Sequence, residues 1–213
     1  MLTISNRISK LAGYMPAIPT PFSSDGEIDA AAFEWFCDRQ IKHCAAALVV
    51  CGTTGEAPTL TPVEHRELIR LAVGVSGGRT PVIAGAGSNA TAHAIELSKD
   101  AEAAGADAIL SVVPYYNKPT QSGIYEHFRA IGQSTGLPII LYDVPERTVS
   151  GLADATICRL AGMPQIAGLK DATGDVTRPP RLRGLLGSDF RLFSGDDATA
   201  FAFIAQGVTA VFR

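Results

Sequence analysis

The sequence predicts an α/β fold, a (β/α)8 barrel, and three observations carry that prediction. Eight short apolar runs recur along 213 residues, most of them followed by a stretch of helical periodicity. The runs are nearly continuous in apolar residues, as in parallel strands buried on both faces, rather than alternating as in a sheet wetted on one side. The unit repeats about every 25 to 35 residues, as in β/α barrels. An open doubly wound sheet is the competing arrangement. Apolar residues make up 46% and charged residues 18% of the chain, an ordinary globular composition. No linker or low-complexity tract interrupts it, so residues 1–213 read as one domain.

Each element has its own signal. Ala17 to Phe22 reads as the first strand, and Asp29 can cap the helix after it, with Phe33, Phe36 and Cys37 on the buried side. Ala46 to Cys51 is the second strand. Thr61-Pro62-Val63-Glu64 matches a capping box with proline at the first helical position, and that helix runs to about Val75. Pro81 to Ala84 is the third strand, with a helix from near Asn89 to Gly105. Ala108 to Val113 is the fourth, ended by Pro114, and the loop 115–123 leads to a helix that stops at Gly136. Pro138 to Tyr142 is the fifth strand, the sixth ends at Lys170, and the seventh is Phe190 to Ser194. The last helix stops at Gly207, and Val208 to Phe212 forms strand eight.

Several function classes drop out. The net charge is -3 and no cluster of Lys and Arg marks a nucleic-acid footprint. No apolar run approaches the roughly 20 residues that span a bilayer, and the N-terminus lacks a secretory apolar region. Arg7 and Lys10, with no acid before Asp25, faintly resemble a transit peptide; the helical spacing of Ile4, Ile8 and Leu11 favours a short docking turn. Cys37, Cys44, Cys51 and Cys158 form no C-x-x-C pair. Cys37 and Cys44 fall on one helix face and Cys51 in the next strand, and all four read as small buried thiols. His43, His65, His93 and His127 show no ligand spacing. No metal or cofactor is expected, and a reducing cytoplasm fits.

The polar groups gather at strand ends. Gly52 to Glu56, Tyr115-Tyr116, Tyr142, Lys170 and Asp196-Asp197 all lie at or just past the carboxyl ends of different strands, the face that carries a barrel's active site. A lysine ending an internal strand is desolvated, which lowers its pKa and makes its amine a nucleophile toward carbonyls; alternatively Lys170 snorkels to solvent. Gly52-Thr53-Thr54-Gly55-Glu56 offers hydroxyls and backbone amides that suit a carboxylate or phosphate, or is an ordinary glycine turn. Tyr142 can relay protons beside a reactive lysine or be a core tyrosine. Arg147 can grip a carboxylate or be a solvated loop charge. Gly85-Ala86-Gly87-Ser88-Asn89-Ala90 formally fits a dinucleotide fingerprint, which keeps a nicotinamide oxidoreductase on an open sheet as a different class of reading.

Five segments in order carry a resemblance: Gly-Thr-Thr-Gly-Glu at 52–56, Pro-Tyr-Tyr-Asn-Lys-Pro-Thr-Gln at 114–121, Tyr-Asp-Val-Pro-Glu-Arg-Thr at 142–148, Gly-Leu-Lys-Asp-Ala-Thr-Gly at 168–174 and Ser-Gly-Asp-Asp at 194–197. Together they resemble the dihydrodipicolinate synthase family. Sister enzymes such as N-acetylneuraminate lyase share the lysine and tyrosine but generally lack the arginine matching Arg147. The resemblance implies a Schiff-base lyase of lysine and diaminopimelate biosynthesis, with pyruvate and L-aspartate 4-semialdehyde as substrates. It implies that Lys170 forms the imine, that Thr53 and Thr54 hold the pyruvate carboxylate, and that Thr54 links Tyr142 and Tyr116 in a proton relay. Arg147 would hold the semialdehyde carboxylate. Tyr116 would reach a neighbouring subunit's site, so a homo-oligomer is implied, a dimer of dimers in the intact family. Another pyruvate aldolase of the superfamily is the near alternative.

The family often carries a lysine effector site, and His65, Asn89 and Tyr115 match positions lining it. His93 stands where lysine-sensitive members have a glutamate, and Pro62 where a histidine is common, so weak or absent lysine inhibition is expected. After Gln206-Gly207 the sequence departs from the family's pattern and stops at Arg213. The reading is therefore of a barrel truncated after strand eight. It lacks the last barrel helix and the family's C-terminal helical region, and apolar surface is expected around strands one and eight. An inactive or unstable fragment is the corresponding alternative.

Overall fold

A computed structural model describes residues 11–212. Eight parallel strands form a single sheet: β1 (Gly13–Met15), β2 (Leu48–Val50), β3 (Val82–Gly85), β4 (Ala108–Val112), β5 (Ile139–Asp143), β6 (Ile166–Asp171), β7 (Arg191–Ser194) and β8 (Ala210–Phe212). Their order is β1-β8-β7-β6-β5-β4-β3-β2. The chain just beyond β1 closes the ring. Ile18 N donates to Val49 O at 2.8 Å, and Val49 N donates to Pro16 O at 2.9 Å. The helices are α1 (Ala30–Lys42), α2 (Pro62–Ser76), α3 (Thr91–Ala103), α4 (Gln121–Gly132), the single turn α5 (Pro145–Thr148), α6 (Asp154–Ala161), α7 (Arg178–Leu186) and α8 (Ala200–Ala205). The fold is therefore the (β/α)8 barrel that the apolar runs predict.

The strands read as continuous apolar runs because both faces are buried, one in each of two cores. Side chains alternate across a strand. Val49, Ile83, Leu110, Ile140, Phe193 and Phe212 fill the barrel interior. Leu48, Val50, Ile109, Ile139, Leu141 and Leu169 face the surrounding helices. Two helix starts follow their sequence signals. Ala32 N donates to the Asp29 side chain at 2.9 Å, and Thr61 and Glu64 form the full capping box, with α2 ending at Ser76.

Three expectations change. The first strand is Gly13–Met15, paired with β8, and not Ala17 to Phe22. Pro19 and Pro21 have no N–H for a ladder, and that stretch makes only isolated bridges from Ala17 to Val49 and from Phe22 to Ile28. The helix α1 ends at Lys42, so Cys44 lies beyond it with φ of 61°, exposed rather than on a buried helix face. Cys158 is half-buried, and only Cys37 and Cys51 are core thiols. The docking turn proposed around Ile4 and Ile8 lies outside the described residues; Leu11 is buried in the barrel-interior cluster. Tyr14 on β1 and Phe201 and Ile204 on α8 are exposed.

Candidate active site

The register of three strands builds the centre of the site. Lys170 of β6 is paired with Tyr142 of β5 on one side and with Phe193 of β7 on the other. All three side chains point into the barrel, because their strand neighbours Leu141, Leu169 and Leu192 point to the helices. Lys170 is only 8% exposed. Its Nζ lies 4.1 Å from the centre of the Tyr142 ring and 5.1 Å from that of Phe212. Burial against these rings disfavours the charged ammonium and lowers the Lys170 pKa from its ordinary 10.5 to about 8. About a tenth of the amine is then neutral at pH 7. The snorkelling alternative fails, because the side chain runs inward and not to solvent.

A cavity of about 320 Å³ opens over this lysine. Thr53 and Thr54 of the turn after β2, Tyr142, Arg147 of α5, Gly195 and Asp196 contribute to its wall. Burial raises the Tyr142 pKa and keeps the phenol protonated, against a smaller downward pull from the nearby Thr53 hydroxyl. The turn itself is held from behind: Thr20 Oγ1 donates to Gly55 O at 2.7 Å. Arg147 is exposed at the cavity's mouth, with Glu146 beside it. An apolar, largely aromatic floor, a buried amine, a protonated phenol and a guanidinium at the rim can together bind a keto acid, form an imine and move protons.

Tyr116 is not brought to this cavity. It is 85% exposed, with a left-handed φ of 70°, and projects from the loop after β4. His65, Asn89 and Tyr115 do converge, with Pro62 and His93, on a second cavity of about 340 Å³. The two cavities share Gly52, Thr53, Leu110 and Tyr142 as a common wall. His65 Nε2 lies 2.7 Å from Gly85 O, so that nitrogen carries the proton and Nδ1 is left as an unpartnered acceptor. Burial lowers the His65 pKa.

Three glycines are required for reasons visible only in the fold. A Cβ on Gly195 would sit 2.7 Å from Lys170 Cε, so the residue after β7 must lack one to leave room for the lysine stem. A Cβ on Gly85 would overlap the Cys51 carbonyl, and one on Gly87 would sit 2.5 Å from Val112 N. The glycines of the apparent dinucleotide fingerprint thus serve close approach between neighbouring strand ends. With the sheet closed into a barrel, the oxidoreductase reading has no open crevice to stand on. Also missed were Asp143, Asp171 and Arg178, which form a buried ionic cluster just outside the barrel. Their only sequence signal is that each acid directly follows a site residue.

The described residues contain no helix long and apolar enough to cross a membrane. Residues 10–212 match the model of the Dihydrodipicolinate synthetase family. The 4-hydroxy-tetrahydrodipicolinate synthase of Rhodospirillum centenum is 53% identical over 195 residues, spanning 92% of this chain and 67% of the relative. The dihydrodipicolinate synthase of Acinetobacter baumannii, solved as a chloride-inhibited complex with pyruvate, superposes with a TM-score of 0.93 at 44% identity, covering 95% of this chain and 70% of that one. A monomeric dihydrodipicolinate synthase variant superposes with a TM-score of 0.92 at 37% identity, covering 97% and 70%. The fold, the matched length and the level of identity agree: this chain belongs to the dihydrodipicolinate synthetase family.

Proposed function

We propose that this chain is a Schiff-base lyase that condenses pyruvate with L-aspartate 4-semialdehyde to 4-hydroxy-tetrahydrodipicolinate. The observation that carries the reading is the buried Lys170 amine, which has no acidic partner among the described residues and lies 4.1 Å from the Tyr142 ring at the base of a polar cavity. The neutral amine adds to the pyruvate ketone, and loss of water leaves the imine. Loss of a methyl proton gives the enamine, whose carbon adds to the aldehyde, and cyclisation onto the imine carbon by the substrate's amine frees Lys170.

The other residues take roles suited to their positions. Thr53 and Thr54 hold the pyruvate carboxylate with hydroxyl and backbone donors. Tyr142 passes protons through the Thr53–Thr54 turn. Arg147, at the rim, holds the carboxylate of the incoming semialdehyde. Tyr116 is exposed and does not line its own cavity, which suits a phenol that completes the relay in a second copy of the chain; the working form is then a homo-oligomer. All four cysteines are free thiols, which suits a cytoplasmic enzyme.

The second cavity is a candidate effector site, and we propose that it responds weakly or not at all to lysine. His93 lines it, and an imidazole cannot hold an ammonium as a carboxylate does. An inhibition curve with a low-millimolar or tighter midpoint would overturn this.

The experiment for the main reading is incubation with pyruvate and borohydride, followed by intact mass and peptide mapping. A reduced pyruvate adduct on Lys170 supports the Schiff-base assignment. No adduct from a folded sample means that the cavity is not a working site.

A further inference from the structure

We infer that Arg178 is a positioning residue: one buried guanidinium, outside the barrel, sets both the strand end that carries Lys170 and the loop that carries Arg147. This rests on the Schiff-base reading above and adds a residue that no part of that mechanism uses.

The geometry is a three-way clamp. Tyr142 and Lys170 are register partners, and so are the next residues, Asp143 and Asp171. Because side chains alternate along a strand, the acids point to the opposite side of the sheet, where α7 begins with Arg178. Arg178 Nη1 donates to Asp143 Oδ2 at 2.7 Å and lies 3.5 Å from Asp171 Oδ2. Nη2 donates to Leu152 O at 2.6 Å, and Nε reaches Asp154 Oδ1 at 3.4 Å. Asp143 Oδ2 also accepts from Leu152 N at 3.2 Å. Asp143 and Leu152 are the two ends of the segment that includes α5 and Arg147, so the guanidinium closes the base of that loop. On the β6 side, Asp171 Oδ1 accepts from Thr173 N at 2.9 Å and from Thr173 Oγ1 at 2.7 Å, which fixes the first turn after Lys170.

Stability alone does not favour such a cluster. Arg178, Asp143 and Asp171 are each less than 5% exposed, and Asp143 Oδ1 and Asp171 Oδ2 lack hydrogen-bond partners. Two buried acids around one guanidinium leave charge incompletely matched, and apolar replacements of buried ion clusters are often as stable. What the cluster supplies is position. It ties the strand ends bearing the phenol and the amine to each other, and both to the loop bearing the carboxylate grip. A fork with several donors in one plane can do this, and an ammonium cannot.

The test compares the parent chain with Arg178→Lys and with a charge-balanced triple variant, Arg178→Met with Asp143→Asn and Asp171→Asn. Each is checked for fold by circular dichroism and melting. The readouts are the rate of borohydride-trapped pyruvate adduct on Lys170 and the kcat and KM for L-aspartate 4-semialdehyde. Misplacement of reacting groups by about 1 Å can cost on the order of 100-fold, so a folded triple variant should trap pyruvate roughly 10- to 100-fold more slowly and show a raised KM for the aldehyde. Arg178→Lys should recover part of the trapping rate and leave the aldehyde KM raised. A folded triple variant with the parent's trapping rate and KM overturns the inference. If the triple variant does not fold, parent-like values in Arg178→Lys overturn it. A parent chain that forms no adduct overturns the Schiff-base reading itself, and this inference with it; an adduct in the parent with unaffected variants removes only the clamp.

Discussion

On the inner side of β5 and β6, Tyr142 and Lys170 face a cavity. One residue later, on the outer side, Asp143 and Asp171 face a guanidinium. Both sides bury charge at the same strand ends, yet they treat it differently. Outside, each acid is given a cation or several donors. Inside, Lys170 is enclosed by aromatic rings, and its pKa falls to about 8 because burial alone acts on it. The difference teaches where the chain accepts a cost to stability. An unpaired buried ammonium is unfavourable for folding and useful for chemistry, since the same desolvation supplies neutral amine near neutral pH.

The largest way to test that contrast is Lys170→Met. Adduct formation with pyruvate should vanish, while the fold gains stability. A pKa lowered from 10.5 to about 8 corresponds to about 3 kcal/mol at about 1.4 kcal/mol per tenfold change in proton affinity. The sign follows from linkage: between pH 8 and 10.5 the unfolded chain holds a proton that the folded chain has lost, so parent stability rises with pH across that window. The stability gap between variant and parent should be full below pH 8 and closed above 10.5, which denaturant melts at a series of pH values would show. A gap that ignores pH would mean that Lys170 is not the strained group.

Tyr142→Phe comes next. It keeps the ring beside the amine and removes only the hydroxyl on the cavity wall that Tyr142 shares with Thr53 and Thr54. Turnover should fall by about 10²- to 10⁴-fold, the range of a general acid–base group, with little change in melting temperature. An unchanged kcat would remove Tyr142 from the proton path.

The smallest effect lies far from either side of the strand ends. Asp29→Ala removes the N-cap of α1, where Ala32 N now finds its acceptor, and should cost about 1 kcal/mol of stability. The adduct rate should be untouched. A slower rate would show that the site depends on general stability rather than on local placement.

Strands β2 to β7 were legible because parallel strands buried on both faces leave uninterrupted apolar runs. The ends of the chain were harder. Ala17 to Phe22 looks like a strand by composition, but the ladder is made by Gly13–Met15, whose own sequence carries little β signal. Lys170 and Tyr142 were legible as polar residues at the ends of apolar runs, and the Thr53–Thr54 turn by its glycines. Arg178 was not, since its meaning depends on two acids 35 and 7 residues away meeting it behind the sheet. Nor was the need for glycine at 195, which arises only when the lysine stem packs against the residue that follows β7. The dinucleotide-like glycines misled because a motif records where a Cβ is excluded and not what excludes it.

The most direct measurement is the rate of borohydride trapping of pyruvate on Lys170 as a function of pH, on the unmodified chain, with the modified peptide mapped at each point. An amine with a pKa of about 8 should give a rate that rises about tenfold from pH 7 to pH 9 and then levels. A rate that keeps climbing toward pH 10.5, or an adduct on another lysine, would contradict the claim that burial in this barrel turns Lys170 into the nucleophile.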